Sequence, residues 1–154
     1  MGVTPLTDAQ LAAIAALVAA RRVEAVPIDA RRVAAFLAAA EDRISQLPLL
    51  SSTRVKYDLA YDAAHDVGEA LLAAYGYRTT NGSGQHEALG RFLEAVLDSP
   101  PGNEAAKRCD RLRRTRNQSH YGARPIGVAD ASLAERTATE LLAAIQSRGV
   151  DLAE

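Results

Sequence analysis

The segment from Ser51 or Ser52 to about Tyr75 is apolar on most faces of a helical wheel and is bounded by Pro48 and Gly76. A helix with one apolar stripe can lie on a surface, but one apolar nearly all round must be enclosed by other elements. That segment therefore predicts a central helix in a helical bundle. The composition agrees. The chain is 48% hydrophobic but only 5% aromatic, with no Trp, and Ala and Leu dominate. Small aliphatic residues favour close-packed helices, whereas strands call for more β-branched and aromatic residues. Thr7 and Gln10 have capping-box spacing and open a first helix to about Arg22. Pro27 interrupts, and Asp29 can cap a second helix running to about Gln46. After the central helix, residues 76–84 read as a loop, residues 85–97 as a short helix, and Asn103 caps a helix that fades near Gly122. Asp130 opens the last helix, to about Arg148. The expectation is an all-α, antiparallel bundle of about six helices forming one domain over residues 1–154, with N-terminal helices over 7–46 and a core bundle over 50–148. Cys109 stands alone, which rules out an internal disulfide and a cysteine zinc cage. The start lacks a basic leader region and no apolar run reaches spanning length, so a soluble, cytoplasmic protein without membrane contact is expected.

Charge is distributed unevenly. Residues 107–124 hold seven Lys or Arg and one acid, Asp110, for about +6, whereas the whole chain is −1. A patch separated this sharply marks a surface for an anionic partner. On a helix, Arg113, Arg116 and His120 fall at i, i+3 and i+7, on one face with Cys109 behind them and Leu112 placed to dock the helix on the core. An arginine and a histidine on one ridge suit phosphodiester cleavage without metal. The imidazole moves a proton to or from the ribose 2′-hydroxyl or the leaving oxygen, and the guanidinium holds the non-bridging oxygens. The plain alternative is a solvated basic face whose terminal histidine caps the helix.

The central helix carries Asp58, Asp62, His65, Asp66 and Glu69 as a polar stripe. Read functionally, Asp62, His65 and Glu69 support the site, the acids pairing with the arginines of the basic helix and aiming them. Read plainly, the stripe is the bundle's outward edge. No Glu-x-x-His pair is present and no second histidine lies on that helix, so neither a metal site nor a cofactor is expected. His86 reads as a surface or capping residue. Tyr57, Tyr61 and Tyr75 read as packing residues with hydroxyls at the bundle surface, and Cys109 as a small buried hydrophobe.

The run Arg116, Asn117, Gln118, Ser119, His120, Tyr121 resembles the signature of higher-eukaryote-and-prokaryote nucleotide-binding (HEPN) domains, in which an arginine and a polar residue precede a histidine. A second likeness lies upstream, in the aromatic-led segment from Tyr57 to Leu72 with His65 and Glu69. The resemblance covers roughly residues 50–145. It implies a helical bundle and a metal-independent endoribonuclease, with Arg116 and His120 catalytic and Arg113, Arg114 and Asn117 contacting RNA phosphate. Arg116 has the polar follower, but it leaves three residues before His120, fewer than is usual; Arg114 and Arg113 leave five and six. The resemblance further implies attack by the 2′-hydroxyl, a homodimer whose two motif helices share one cleft, and the toxin role of a toxin–antitoxin pair. The antitoxin would be a nucleotidyltransferase, and Tyr121, next to the motif histidine, the site of inhibitory nucleotide addition. The competing readings are a HEPN-like module that binds RNA, nucleotide or protein without cutting, and a structural helical adaptor.

Overall fold

The computed structural model describes residues 2–152. Among them the chain forms α1 (Asp8–Ala19), β1 (Val23–Ala25), α2 (Ala30–Gln46), a 3-10 turn (Leu47–Leu49), α3 (Thr53–Tyr75), β2 (Tyr77–Thr79), α4 (Gln85–Val96), α5 (Asn103–Gly122) and α6 (Val128–Ser147). The protein is an all-α helical bundle with one small two-stranded sheet. No helix of the described residues is long and apolar enough to cross a membrane.

α3 is the central rod, with fourteen of its 23 residues buried. The Ser52 hydroxyl accepts from the Val55 amide at 3.2 Å and starts it. Gly76 ends it in the left-handed region at φ 80, where a Cβ would meet the Val26 carbonyl at 2.9 Å. α2 packs antiparallel to α3, its start near Gly76 and its end, at Leu47, clustered with Tyr57 and Ala60. α6 flanks α3 in the same direction. The hydroxyl of Thr53 donates to the Ile126 carbonyl at one end, and Arg148 Nε donates to the Tyr75 hydroxyl at the other. α4 and α5 close the third side of α3. Gly68 lets α4 press close, since a Cβ there would lie 2.2 Å from a Leu89 methyl.

Local signals hold at several helix ends and shift at others. Thr7 and Gln10 form the capping box of α1. Asn103 is the first residue of α5 rather than its cap, because Gly102 turns the chain at φ 101. Asp130 lies one turn into α6, where its carboxylate accepts from the Gly127 amide at 3.0 Å. The Tyr57 hydroxyl does not reach the surface: α5 crosses over it, and it donates to the Leu112 carbonyl at 2.6 Å in the core. Leu112, Tyr57, Tyr61 and Ala134 form the apolar contact that seats α5 on α3 and α6.

The sheet was not expected from the sequence. β1 pairs antiparallel with β2, Val23 opposite Thr79 and Ala25 opposite Tyr77. It ties the link after α1 to the link after α3. The Thr80 hydroxyl then donates to the Arg21 carbonyl at 2.7 Å, and Arg22 pairs with Glu87 at 2.8 Å. These contacts fix residues 80–87, and with them the amino end of α4, to the link after α1.

Candidate functional site

α5 lies against the amino-terminal half of α3 and turns its basic face toward the start of α4. Between them is a cleft of about 350 Å³, lined by Tyr61, by residues 82–87 and by Arg113, Arg116, Asn117 and Tyr121. Arg116 stands with its guanidinium carbon 5.0 Å from the Tyr61 ring centroid, a cation–π contact that holds it at the cleft wall. Arg113 is tethered to Asp110 at 2.7 Å and lies 3.9 Å from Glu87. Tyr121 is 87% exposed at the rim, its ring 6.4 Å from that of His120. An adjoining hollow of about 430 Å³ is larger, but it sets Arg91, Arg113 and Arg114 against Glu87, Glu94 and Asp110, so its charges balance. In the first cleft Arg113 is offset by Asp110 and Glu87, but Arg116 has no ion-pair partner among the described residues, which makes that cleft the better anion site.

His120 sits one turn beyond Arg116, with Nε2 3.3 Å from the Asp58 carboxylate on α3. That bond fixes the ring's orientation. Of the residues singled out in the sequence, Arg113, Arg116, Asn117 and Tyr121 thus share one cleft, and His120 adjoins it. Arg114 points elsewhere: its side chain is 66% exposed, bound to Asp110 at 3.0 Å, and belongs to the neighbouring hollow.

The acidic stripe behaves differently from expectation. Glu69 pairs with Arg32 at 3.1 Å and Asp66 pairs with Arg43, both on α2 and not on the basic helix. α2 runs beside this half of α3 and supplies the nearer guanidinium groups. Burial raises both carboxyls above the usual range, and the arginines oppose it. Asp62 is exposed and has no ion-pair partner among the described residues. Of the acids on α3, the one that meets α5 is Asp58, through His120 rather than an arginine.

His65 lies half-buried beneath His86, ring centroids 4.5 Å apart. His86 in turn stacks on Tyr61 at 5.7 Å and 9°, and its Nδ1 lies 2.8 Å from the Tyr61 hydroxyl. So His86 is exposed at the surface, as expected, but it is not isolated and belongs to the cleft wall. Burial lowers both imidazoles below the ordinary histidine range, and Arg116 pushes each further down. Burial also lifts the Tyr61 phenol to about 12, so it stays protonated. Cys109 behind the cleft is held as a thiol, raised by burial to about 12. Among the described residues no group of three or more His, Cys, Asp or Glu side chains is placed to hold a metal ion.

The two lowered imidazoles make stability depend on pH. A histidine that binds its proton more weakly folded than unfolded contributes fully above the ordinary value of 6.5, and that contribution is lost as pH falls through the lowered folded value. Asp66 and Glu69, raised by burial, act in the opposite sense and gain as pH falls. The His65→Gln, His86→Gln double variant is therefore expected to lose less thermal stability than wild type between about pH 7 and pH 5. Unfolding midpoints across that range test it, and equal slopes would contradict it.

Sequence comparison with family models and with curated proteins, and comparison with solved structures, gave no match.

Proposed function

We propose that the protein is a metal-independent endoribonuclease of the kind its resemblance to HEPN domains suggests. One observation carries the reading: Arg113, Arg116, Asn117 and Tyr121 converge on a single cationic cleft, with an oriented imidazole, His120, one turn away. Arg116 and Arg113 would grip the non-bridging oxygens of a phosphodiester as negative charge builds on them. Asn117 adds a neutral hydrogen-bonding group beside them. The Tyr121 ring offers a face on which an unpaired base can stack, which favours single-stranded or loop RNA. Attack by the 2′-hydroxyl leaves a 2′,3′-cyclic phosphate and a free 5′-hydroxyl. In a toxin role, the exposed Tyr121 hydroxyl would be open to a modifying nucleotidyltransferase partner.

A binding module that holds RNA without cutting is the second reading. It is favoured by the turn of the His120 ring onto Asp58, since His120 itself does not line the cleft.

The two arginines separate the readings from chance basicity. Arg116→Ala is expected to slow cleavage of a single-stranded RNA about a hundredfold, the loss of one contact made in the transition state, roughly 3 kcal/mol. Arg114→Ala is expected to stay within a few-fold of wild type. Cleavage rates of the two variants at saturating RNA measure this. A larger loss at residue 114 would contradict the cleft assignment, and RNA binding without cleavage by wild type would establish the second reading.

A further inference from the structure

We propose that His86 is a second proton-transfer residue of this cleft, so that one chain carries both imidazoles that cleavage by 2′-hydroxyl attack requires. The inference rests on the ribonuclease reading and extends it to the division of labour inside the site. The sequence offered one arginine–histidine pair and therefore seemed to need a second chain. Folding changes that. Arg116 stands near two imidazoles: it covers Tyr61, whose hydroxyl meets His86 in the cleft wall, and His120 follows one turn along α5, just outside the cleft lining. A phosphate gripped by Arg116 thus has His86 beside it in the cleft, with His120 adjoining, its Nε2 on Asp58 and its Nδ1 clear of that contact.

The surroundings of His86 suit a base. It faces Tyr61, Asp62 and His65 from α3 and Arg113 and Arg116 from α5, with Glu87 next to it on α4. The arginines and the packed His65 ring disfavour a positive charge, so the imidazole enters the step neutral. Its Nδ1 is taken up by Tyr61, which leaves Nε2 for the substrate. When Nδ1 carries the proton and donates it to the Tyr61 oxygen, Nε2 presents a lone pair. Tyr61 is then a positioning residue that orients the ring of His86, and Asp58 orients the ring of His120.

The step balances within these groups. His86 Nε2 removes the proton of the ribose 2′-hydroxyl as O2′ forms its bond to phosphorus. The bond from phosphorus to O5′ breaks with its electron pair on oxygen, and His120, acting as the general acid, gives that oxygen a proton. The two histidines end with their protonation exchanged, and solvent resets them.

The test uses the full chain with single-stranded RNA, comparing wild type, His120→Ala, His86→Ala, His86→Gln and Tyr61→Phe. The glutamine variant keeps a hydrogen-bonding group toward Tyr61 and covers a loss of fold in the alanine variant. Both His86 variants are expected to lose about a hundredfold or more in kcat with RNA affinity within about twofold. They also lose the rising limb of the pH–rate profile, which a residue that merely packs would leave in place. Tyr61→Phe is expected to shift that limb and lower kcat rather than raise KM. Specific activity per chain stays constant on dilution, because the site is complete in one chain. Wild-type kcat with an unchanged profile in His86→Gln, or activity that follows the dimer fraction, would overturn the proposal while His120→Ala still upheld the ribonuclease reading. A wild type that cuts no RNA would overturn both.

Discussion

His120→Ala is expected to lower RNA cleavage about a thousandfold while the protein keeps its fold and its RNA affinity. An imidazole that moves a proton in the transition state contributes a factor of roughly a hundred to ten thousand. Phosphate binding by contrast rests on Arg113 and Arg116, which the substitution does not touch. The structural cost is small, because the ring is near the end of α5 and its bond to Asp58 joins two partly exposed groups, 35% and 38% accessible. Such a pair contributes at most about 1 kcal/mol. Single-turnover rates with a labelled RNA, beside a binding titration and an unfolding curve, separate the three effects. Cleavage at the wild-type rate in a folded His120→Ala protein would remove the histidine from the chemistry and leave a binding module.

Phe92→Ala carries the largest expected loss of stability, about 3–5 kcal/mol. Phe92 is fully buried on α4, and its ring packs against Tyr77 of β2 with centroids 5.7 Å apart. Truncation removes a large apolar surface and leaves a cavity that α4, pinned at Gly68 and Leu89, cannot close. The same contact joins α4 to the strand that leads into residues 80–87. Cleavage should therefore fall at temperatures where wild type is still active, ahead of global unfolding. Urea titration gives the stability change, and a loss below about 1 kcal/mol would mean that α4 repacks freely.

What could be read from the sequence was local. The apolar periphery of α3 marked it as central, Thr7 with Gln10 marked the start of α1, and Leu112 marked the buried side of a basic helix. The strands escaped because three residues are too few to display an alternating pattern, and their pairing joins segments far apart in the chain. The partners of Glu69 and Asp66 depended on which helix runs beside the distal half of α3, which no spacing reveals. His86 was hidden for the same reason: alone at the start of a short helix, it acquires its meaning from Tyr61 and His65, more than 20 residues away. Gly82 and Gly84, whose positive φ values turn the chain into α4, were the one nearby sign that this helix begins at a shaped surface.

Cleavage of single-stranded RNA by the purified protein in excess EDTA, with analysis of the product ends, tests the central claim most directly. The account predicts undiminished cleavage with 2′,3′-cyclic phosphate and 5′-hydroxyl ends, lost in His120→Ala. Activity that appears only with added Mg²⁺ or Mn²⁺, or products bearing 5′-phosphate, would contradict it.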